Sequence, residues 1–371
     1  LQLIPLVVLS SLDPVLREAA VFGLAVNSPS TTVLRYDLAP DEGQLRRTVI
    51  AGSEILEDLW VPLDHACISC AIREDAIPVM SSLVEGGRCT SLVLALPVAG
   101  ETHGVSRTLS RATVAEGRLR NVRIAAVCAL TDASTFEDDL LGQDRISDRG
   151  LVPGGDDGRP VAGVLADQIS HADVVFVHGE PSQHPRSSDL IDHIRSADSS
   201  RLGSAYETDI QWLLGMFHNS AVADTRMHPV LARPHRGSTE HGAWTIELST
   251  TRPFHPQRLV DQVQDLAPPG VRSFGAFWVP TRPFTVCSWE AAGGQLHVGE
   301  WGNWDRLEPR SRLLITGVGD QRATLTSIFD SVALTPAEAA AHLETWLGAP
   351  DPLDDWLGVR EPQQTPSDGP G

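Results

Sequence analysis

Up to about residue 225 short apolar runs alternate with longer amphipathic stretches, and few architectures accept that rhythm. Runs at 3–9, 32–36, 91–96, 123–130 and 173–177 have strand length, and helical periodicity fills several of the gaps, most clearly at 74–85 and 161–170. Strands and helices taken in turn predict a parallel sheet with helices packed against it, the α/β class. Residues 142–160, rich in Gly, Asp and Arg, read as an exposed insertion.

Beyond 225 the rhythm changes, so that residues 1–225 form one unit and 226–242 a linker. The linker's His228, His235 and His241 sit among prolines, glycines and arginines at irregular spacing, which predicts a solvated segment rather than a metal site. Residues 243–348 then read as a second domain. It has strands at 244–248, 271–279, 285–291, 295–298 and 313–316, a turn at Gly293-Gly294, and a helix carrying Leu259, Val263 and Leu266. Thr335-Pro336-Ala337-Glu338 is a capping box with proline at the first helical position, predicting a helix over 336–347. Residues 349–371 are an acidic, proline-rich tail, of which 352–357, with Trp356, is the part suited to docking. Trp278 and Trp289 lie in strands and belong in a core. Trp301 and Trp304, in a glycine-flanked stretch, are candidates for partner contact.

The 371-residue chain is long enough for two cores, and all 29 of its basic residues are arginine. Without lysine, neither a phosphate-binding P-loop lysine nor Schiff-base catalysis is available. A net charge of −19 argues against a direct grip on nucleic acid, because that affinity comes from cations releasing counterions. Protein partners are expected instead. No apolar run approaches a membrane span, and the greasy residues 1–10 lack a basic flank and a cleavage site, so a first strand and a cytoplasmic location are expected.

Five cysteines, an odd number, argue against a disulfide framework. Cys89, Cys128 and Cys287 lie on apolar segments and are expected in the core. The other two belong to His65-Ala66-Cys67-Ile68-Ser69-Cys70, where C-x-x-C spacing turns both sulfurs toward one point. Such a pair holds a soft metal, zinc foremost, or is redox-active or merely residual. Zinc takes four ligands, so His65 and one further group or water would complete the set, although His65 is as readily solvent-facing as ligating. Glu74 and Asp75 just downstream either orient a ligand or complement a helix dipole.

The Cys67 segment followed by Arg73-Glu74-Asp75 resembles the G-C-x-C-C-x-x-R-x-D-L signature of the CobW family, P-loop GTPases that handle zinc, cobalt or related metals. Thr131-Asp132-Ala133 is similar to that family's V-D-A, and Gln168-Ile169-Ser170-His171-Ala172-Asp173 to its Q-I-x-x-A-D. Residues 244–329 resemble the family's C-terminal domain, with Val271-Arg272-Ser273-Phe274-Gly275-Ala276-Phe277-Trp278 near its R-x-K-G-x-x-W. The implied fold is a P-loop GTPase-like parallel sheet domain followed by a CobW-type α+β domain. The implied cofactors are zinc and GTP with Mg²⁺, the implied metal residues His65, Cys67 and Cys70, and the implied remnants of the nucleotide site Asp13, Arg17 and Asp132.

Departures from the family are specific. Ser10-Ser11-Leu12-Asp13-Pro14-Val15-Leu16-Arg17 stands where the Gly-rich phosphate loop should be, with no glycine to wrap a phosphate and no lysine to neutralise it. Asp13 is expected to repel a nucleotide, and Arg17 is an imperfect stand-in for the lysine. His178-Gly179-Glu180-Pro181 replaces the guanine-reading N-K-x-D, and Ser69 the middle cysteine of a triple. With Arg252-Pro253-Phe254-His255-Pro256 and the 351–356 tail, the chain is similar to the actinobacterial CobW-like subfamily that recruits a ribosome hibernation factor under zinc starvation. The resemblance thus implies a zinc-responsive adaptor, reaching the ribosome through that factor, with GTPase activity weak or lost. A nucleotide-dependent zinc metallochaperone and a metal-free structural protein are the alternatives.

Overall fold

The computed structural model describes residues 3–38, 44–62, 68–151, 157–206, 208–340, 346 and 349–359. In chain order the first part runs β1 (Ile4–Ser11), α1 (Pro14–Asn27), β2 (Thr31–Leu38), β3 (Gln44–Ala51), β4 (Glu54–Pro62), α2 (Ile68–Ala71), a π-helical turn (Ile72–Ala76), α3 (Ile77–Glu85), β5 (Ser91–Ala95), α4 (Thr102–Ala112) and β6 (Val122–Asp132). It continues with α5 (Phe136–Leu141), α6 (Val161–His171), β7 (Val174–His178), α7 (Pro185–Ile194), β8 (Ser200–Leu202), α8 (Ile210–Gly215) and α9 (Ser220–Arg226). The strands form an eight-stranded sheet in the order β4-β3-β2-β5-β1-β6-β7-β8. From β2 to β8 every pairing is parallel, as the alternating pattern predicts. The hairpin β3–β4 extends one edge antiparallel, an addition the sequence reading did not contain.

Because successive strand residues face opposite sides, β1 feeds two cores at once. Leu6 and Val8 pack with Ile72, Met80 and Val105 on one face, while Val7 and Leu9 pack with Val21 and Leu24 of α1 and Leu213 of α8 on the other. Burial on both sides is why β1 reads as a continuous apolar run. A third core joins β7 to α5, α6 and α7.

The second part comprises β9 (Ala243–Thr250), α10 (Pro256–Leu266), β10 (Val271–Phe277), β11 (Thr285–Ala292), β12 (Gln295–Asn303), β13 (Ser311–Val318), α11 (Arg322–Val332), α12 (Pro336–Ala340) and α13 (Asp354–Leu357). Its five strands pair antiparallel in the order β12-β11-β10-β13-β9. One face carries α10 and α11 over Phe277, Trp289 and Ile315, with Phe254 edge-on to Phe329. The helix expected over 336–347 is seen at Pro336–Ala340, where the Glu338 carboxylate accepts from the Thr335 amide at 2.7 Å; residues 341–345, 347 and 348 lie outside the described residues.

Two expectations need correction. Residues 227–242 are solvated only in part: 238–242 are exposed, but Val230 and Ala232 are buried against the second sheet, and the Ala232 carbonyl accepts from Arg312 at 2.9 Å. This strap covers part of the face that the helices leave bare, which gives its apolar residues a reason to be there. Trp304 is buried in the same small core rather than presented to a partner, whereas Trp301 is half exposed, edge-on to His228. The described residues of 142–160 are largely exposed, as expected, with Ile146 as a fully buried anchor. The 351–357 tail does dock: Leu353 is buried, and Asp351 pairs with Arg282 at 2.8 Å. Cys89, Cys128 and Cys287 are core thiols as expected, and burial pushes all three pKa values up, that of Cys287 to about 12. Among the described residues no helix is long and apolar enough to cross a membrane.

Candidate functional site

In open parallel sheets ligands sit at the carboxyl ends of the strands, where connections leave in opposite directions. Here β1 connects toward β2 and β5 on one side and borders β6 on the other, so the loop after β1 is the place to look. Only Leu12 and Asp13 separate β1 from α1. A phosphate loop interposes a longer glycine-bearing turn whose amides surround the ligand. Instead Asp13 is the N-cap of α1, its Oδ1 accepting from the Val15 amide at 2.7 Å and the Leu16 amide at 3.0 Å, with Pro14 at the first helical position. The unpaired amides of a helix start are the usual anion site, and a carboxylate of the chain itself occupies them.

Arg17 is employed elsewhere. Its guanidinium is almost fully buried, donating to the carbonyls of Tyr36 at 3.2 Å and Leu96 at 3.0 Å and pairing with Asp37 and Glu18. It ties α1 to β2 and β5 and is not open to a phosphate. Asp132 ends β6, its Oδ1 accepting from the Ser134 amide at 2.7 Å. Asp13 and Asp132 line one cleft of about 200 Å³ together with Thr131, Thr135, Asp139 and Arg149, the last engaged by Asp139 and Asp144. Three carboxylates against one committed arginine make this cleft repel a polyphosphate. The residues present therefore do not fit GTP with Mg²⁺ here. The sequence reading took Asp13 as a source of repulsion and missed its cap; Asp-Pro opening an apolar periodic stretch is the signal that carries it.

The second element is the cysteine segment. His65 and Cys67 lie outside the described residues. Cys70 is half-buried in α2, with Arg73 Nη2 3.9 Å from its sulfur and Glu74 2.9 Å from the same guanidinium nitrogen. The π-helical turn follows at once, a wide turn frequent at functional sites. Asp75 in that turn accepts from the Tyr36 hydroxyl and from Arg47. Its role is thus an ion pair that clamps the segment to β2 and β3, beyond either role expected for it, and burial beside this carboxylate pushes the Tyr36 pKa far up. Among the described residues no group of three or more His, Cys, Asp or Glu side chains is placed to hold a metal. His241 pairs with Asp189 at 2.8 Å and His228 rests on Trp301, so the strap histidines are not brought together.

Comparison with known proteins gives the following. Residues 243–333 match the profile of the cobalamin synthesis protein cobW C-terminal domain. The chain is 25% identical over 347 residues to a zinc chaperone of Mycobacterium tuberculosis, covering 84% of each chain. It is 21% identical over 285 residues to the zinc-regulated GTPase metalloprotein activator 1 of Dictyostelium discoideum, covering 71% of this chain and 58% of that one. Among solved structures the Zn(II)-bound YjiA GTPase of E. coli aligns over 90% of this chain and 100% of its own, at 11% identity and a TM-score of 0.39. Residues 243–333 are thus similar to the cobW C-terminal domain, and the chain as a whole is similar, at 25% identity, to a zinc chaperone.

Proposed function

We propose that this protein is a zinc chaperone, with zinc as cargo at Cys67 and Cys70 and His65 as a further ligand, acting through protein contacts without GTP turnover at the β1–α1 loop. The observation that carries the second half is the Asp13 carboxylate seated on the α1 amides, which leaves the family's nucleotide step no place there. The first half is supported by the thiol pair and by the zinc chaperone to which the chain aligns over most of its length. Thiolates bind as deprotonated ligands, so zinc affinity falls as pH falls. Delivery to a client enzyme is the reading that the relatives' names favour. Recruitment of a basic ribosome hibernation factor, with the ribosome reached only through it, is the second reading and is supported by the net charge of −19, which suits a basic protein partner and disfavours RNA.

The test is zinc stoichiometry by elemental analysis, with GTP titrated by calorimetry on the same preparation. Cys67→Ser or Cys70→Ser removes the tight zinc and Cys287→Ser leaves it; GTP gives no heat of binding. Zinc retained in the double serine variant would end the cargo assignment. Co-sedimentation with ribosomes, with and without a hibernation factor, separates the two readings of the partner.

A further inference from the structure

A cleft of about 990 Å³ lies away from both elements described above, against the second sheet. Its walls come from the end of α7, from the strap at 230–239, from β9 and β13, and from residues 307–310. This is the upper part of the size range of small-molecule sites. In a chain of net charge −19 its lining is locally basic: Arg233, Arg236, Arg310 and Arg312 face two carboxylates, Glu247 and Glu308.

Those carboxylates do not neutralise it. Glu247 accepts from Arg312 Nε at 2.7 Å and Glu308 pairs with Arg310 at 3.3 Å, while Arg233 and Arg236 have no carboxylate partner among the described residues. Arg312 is the decisive side chain. It is 7% exposed, its Nη2 donates to the Ala232 carbonyl, and its Nη1 is buried with no partner among the described residues. A buried guanidinium N–H left unpaired is costly unless something accepts from it. His193, 4% exposed, sets its Nε2 3.0 Å from the Ser238 carbonyl, and its Nδ1, like that of His235, is buried with no partner among the described residues. Burial holds His193 below its usual pKa, so its Nδ1 accepts rather than donates. The remaining lining is apolar, with Leu231, Leu307, Leu314 and Pro234.

We propose that this cleft binds a small organic anion, whose phosphate or carboxylate group lies on Arg312, Arg233 and Arg236, whose apolar body lies on Leu231, Leu307 and Leu314, and whose hydroxyl or water donates to His193. Both carboxylates in the lining are already paired with arginines, and the two arginines without a carboxylate partner among the described residues favour a dianion, so a phosphomonoester is the better fit. Occupancy bridges the parallel sheet domain, the strap and the second sheet, and it would hold them in one arrangement.

The experiment titrates phenyl phosphate, benzoate and inorganic phosphate into the full chain by calorimetry, with wild type, Arg233→Glu, Arg236→Glu, Arg312→Gln and, as a distant surface control, Arg111→Glu. Phenyl phosphate binds saturably, more tightly than inorganic phosphate; Arg233→Glu and Arg236→Glu each weaken it at least tenfold, and Arg111→Glu leaves it within twofold. Benzoate binding in place of phenyl phosphate, with the same dependence on these arginines, assigns the site to carboxylates. Arg233 and Arg236 are exposed, so their variants fold even where Arg312→Gln disturbs β13. No saturable binding of either organic anion, or binding equal in the wild type and the Arg233 and Arg236 variants, overturns the assignment.

Discussion

Asp13→Ala removes the acceptor of two amide bonds at the start of α1, at 2.7 and 3.0 Å. Water replaces the bond at the exposed Val15 amide, but the Leu16 amide is partly buried and keeps more of the loss. The middle of the N-cap range, about 1 kcal/mol, is therefore the expected destabilisation. For a domain of this size that lowers the thermal midpoint by roughly 2–4 °C. Asp13→Asn keeps an acceptor of equal capping rank and loses only the charge on the helix dipole, so its cost is about 0.3–1 kcal/mol, smaller than that of alanine. The two substitutions also open the anion position, and here the geometry makes its sharper statement. With only Leu12 and Asp13 between β1 and α1, no lysine in the chain and Arg17 committed to Tyr36 and Leu96, neither variant gains GTP. Calorimetric titration of GTP with Mg²⁺ into all three proteins, beside their melting curves, tests both halves. Tight GTP binding by Asp13→Ala or Asp13→Asn would show that the carboxylate alone closed the site and refute the argument from loop length; an unchanged melting midpoint for Asp13→Ala would refute the cap.

Stability should also fall with acid. His171 is fully buried beside His103 and His218, and burial followed by those neighbours holds its pKa well below 6.5, so the folded state refuses a proton that the unfolded chain accepts. That contribution is fully present above about pH 6.5 and is lost below it, by up to ~1.4 kcal/mol per pH unit per such group; urea midpoints at descending pH read it, and a flat profile contradicts it. Gly275→Ala places a Cβ 1.9 Å from the Arg312 carbonyl across the β10–β13 ladder, which should cost about 3 kcal/mol in chemical denaturation, whereas a loss under ~1 would put the strand register in error. Arg282→Ala strands the buried Asp351 and also drops Glu300 and Asp354, at about 3–5 kcal/mol, and exposes residues 351–358 to limited proteolysis; an intact tail would refute the clamp.

The parallel sheet was legible because every strand buried on both faces leaves an apolar run, and β1, β5, β6 and β7 all do. The hairpin was not. β4 is an edge strand with residues of both faces exposed, Glu54, Ile55, Leu56, Leu59 and Trp60 among them, so neither a continuous run nor a clean alternation marks it. The strap was misread for a related cause: residues rich in Pro, Arg and His look solvated, and only the uncovered face of the second sheet calls Val230 and Ala232 inward. Trp304 followed the strap into that same small core, which no local pattern foretells.

At the candidate site the sequence carried the chemistry and left out the geometry. The absence of glycine and lysine from residues 10–17 was readable at once, and so was the thiol pair. That Asp13 serves a helix, that Arg17 turns to the carbonyls of β2 and the residue after β5, and that Asp75 holds the cysteine segment to Arg47 and Tyr36 are statements about partners 2 to 79 residues away. These partnerships change the meaning of the degenerate loop. A nucleotide site that had merely lost its lysine would leave bare amides and an open pocket. Here the amides are capped, the nearby cation is spent on structure, and the neighbouring carboxylates are gathered around a cleft of about 200 Å³. Each of these stabilises the fold without nucleotide, so GTP binding at this loop would require undoing several interactions at once. In this structure the start of α1 is thus held by contacts of the chain itself, with Asp13 on its amides and Arg17 on the carbonyls of Tyr36 and Leu96.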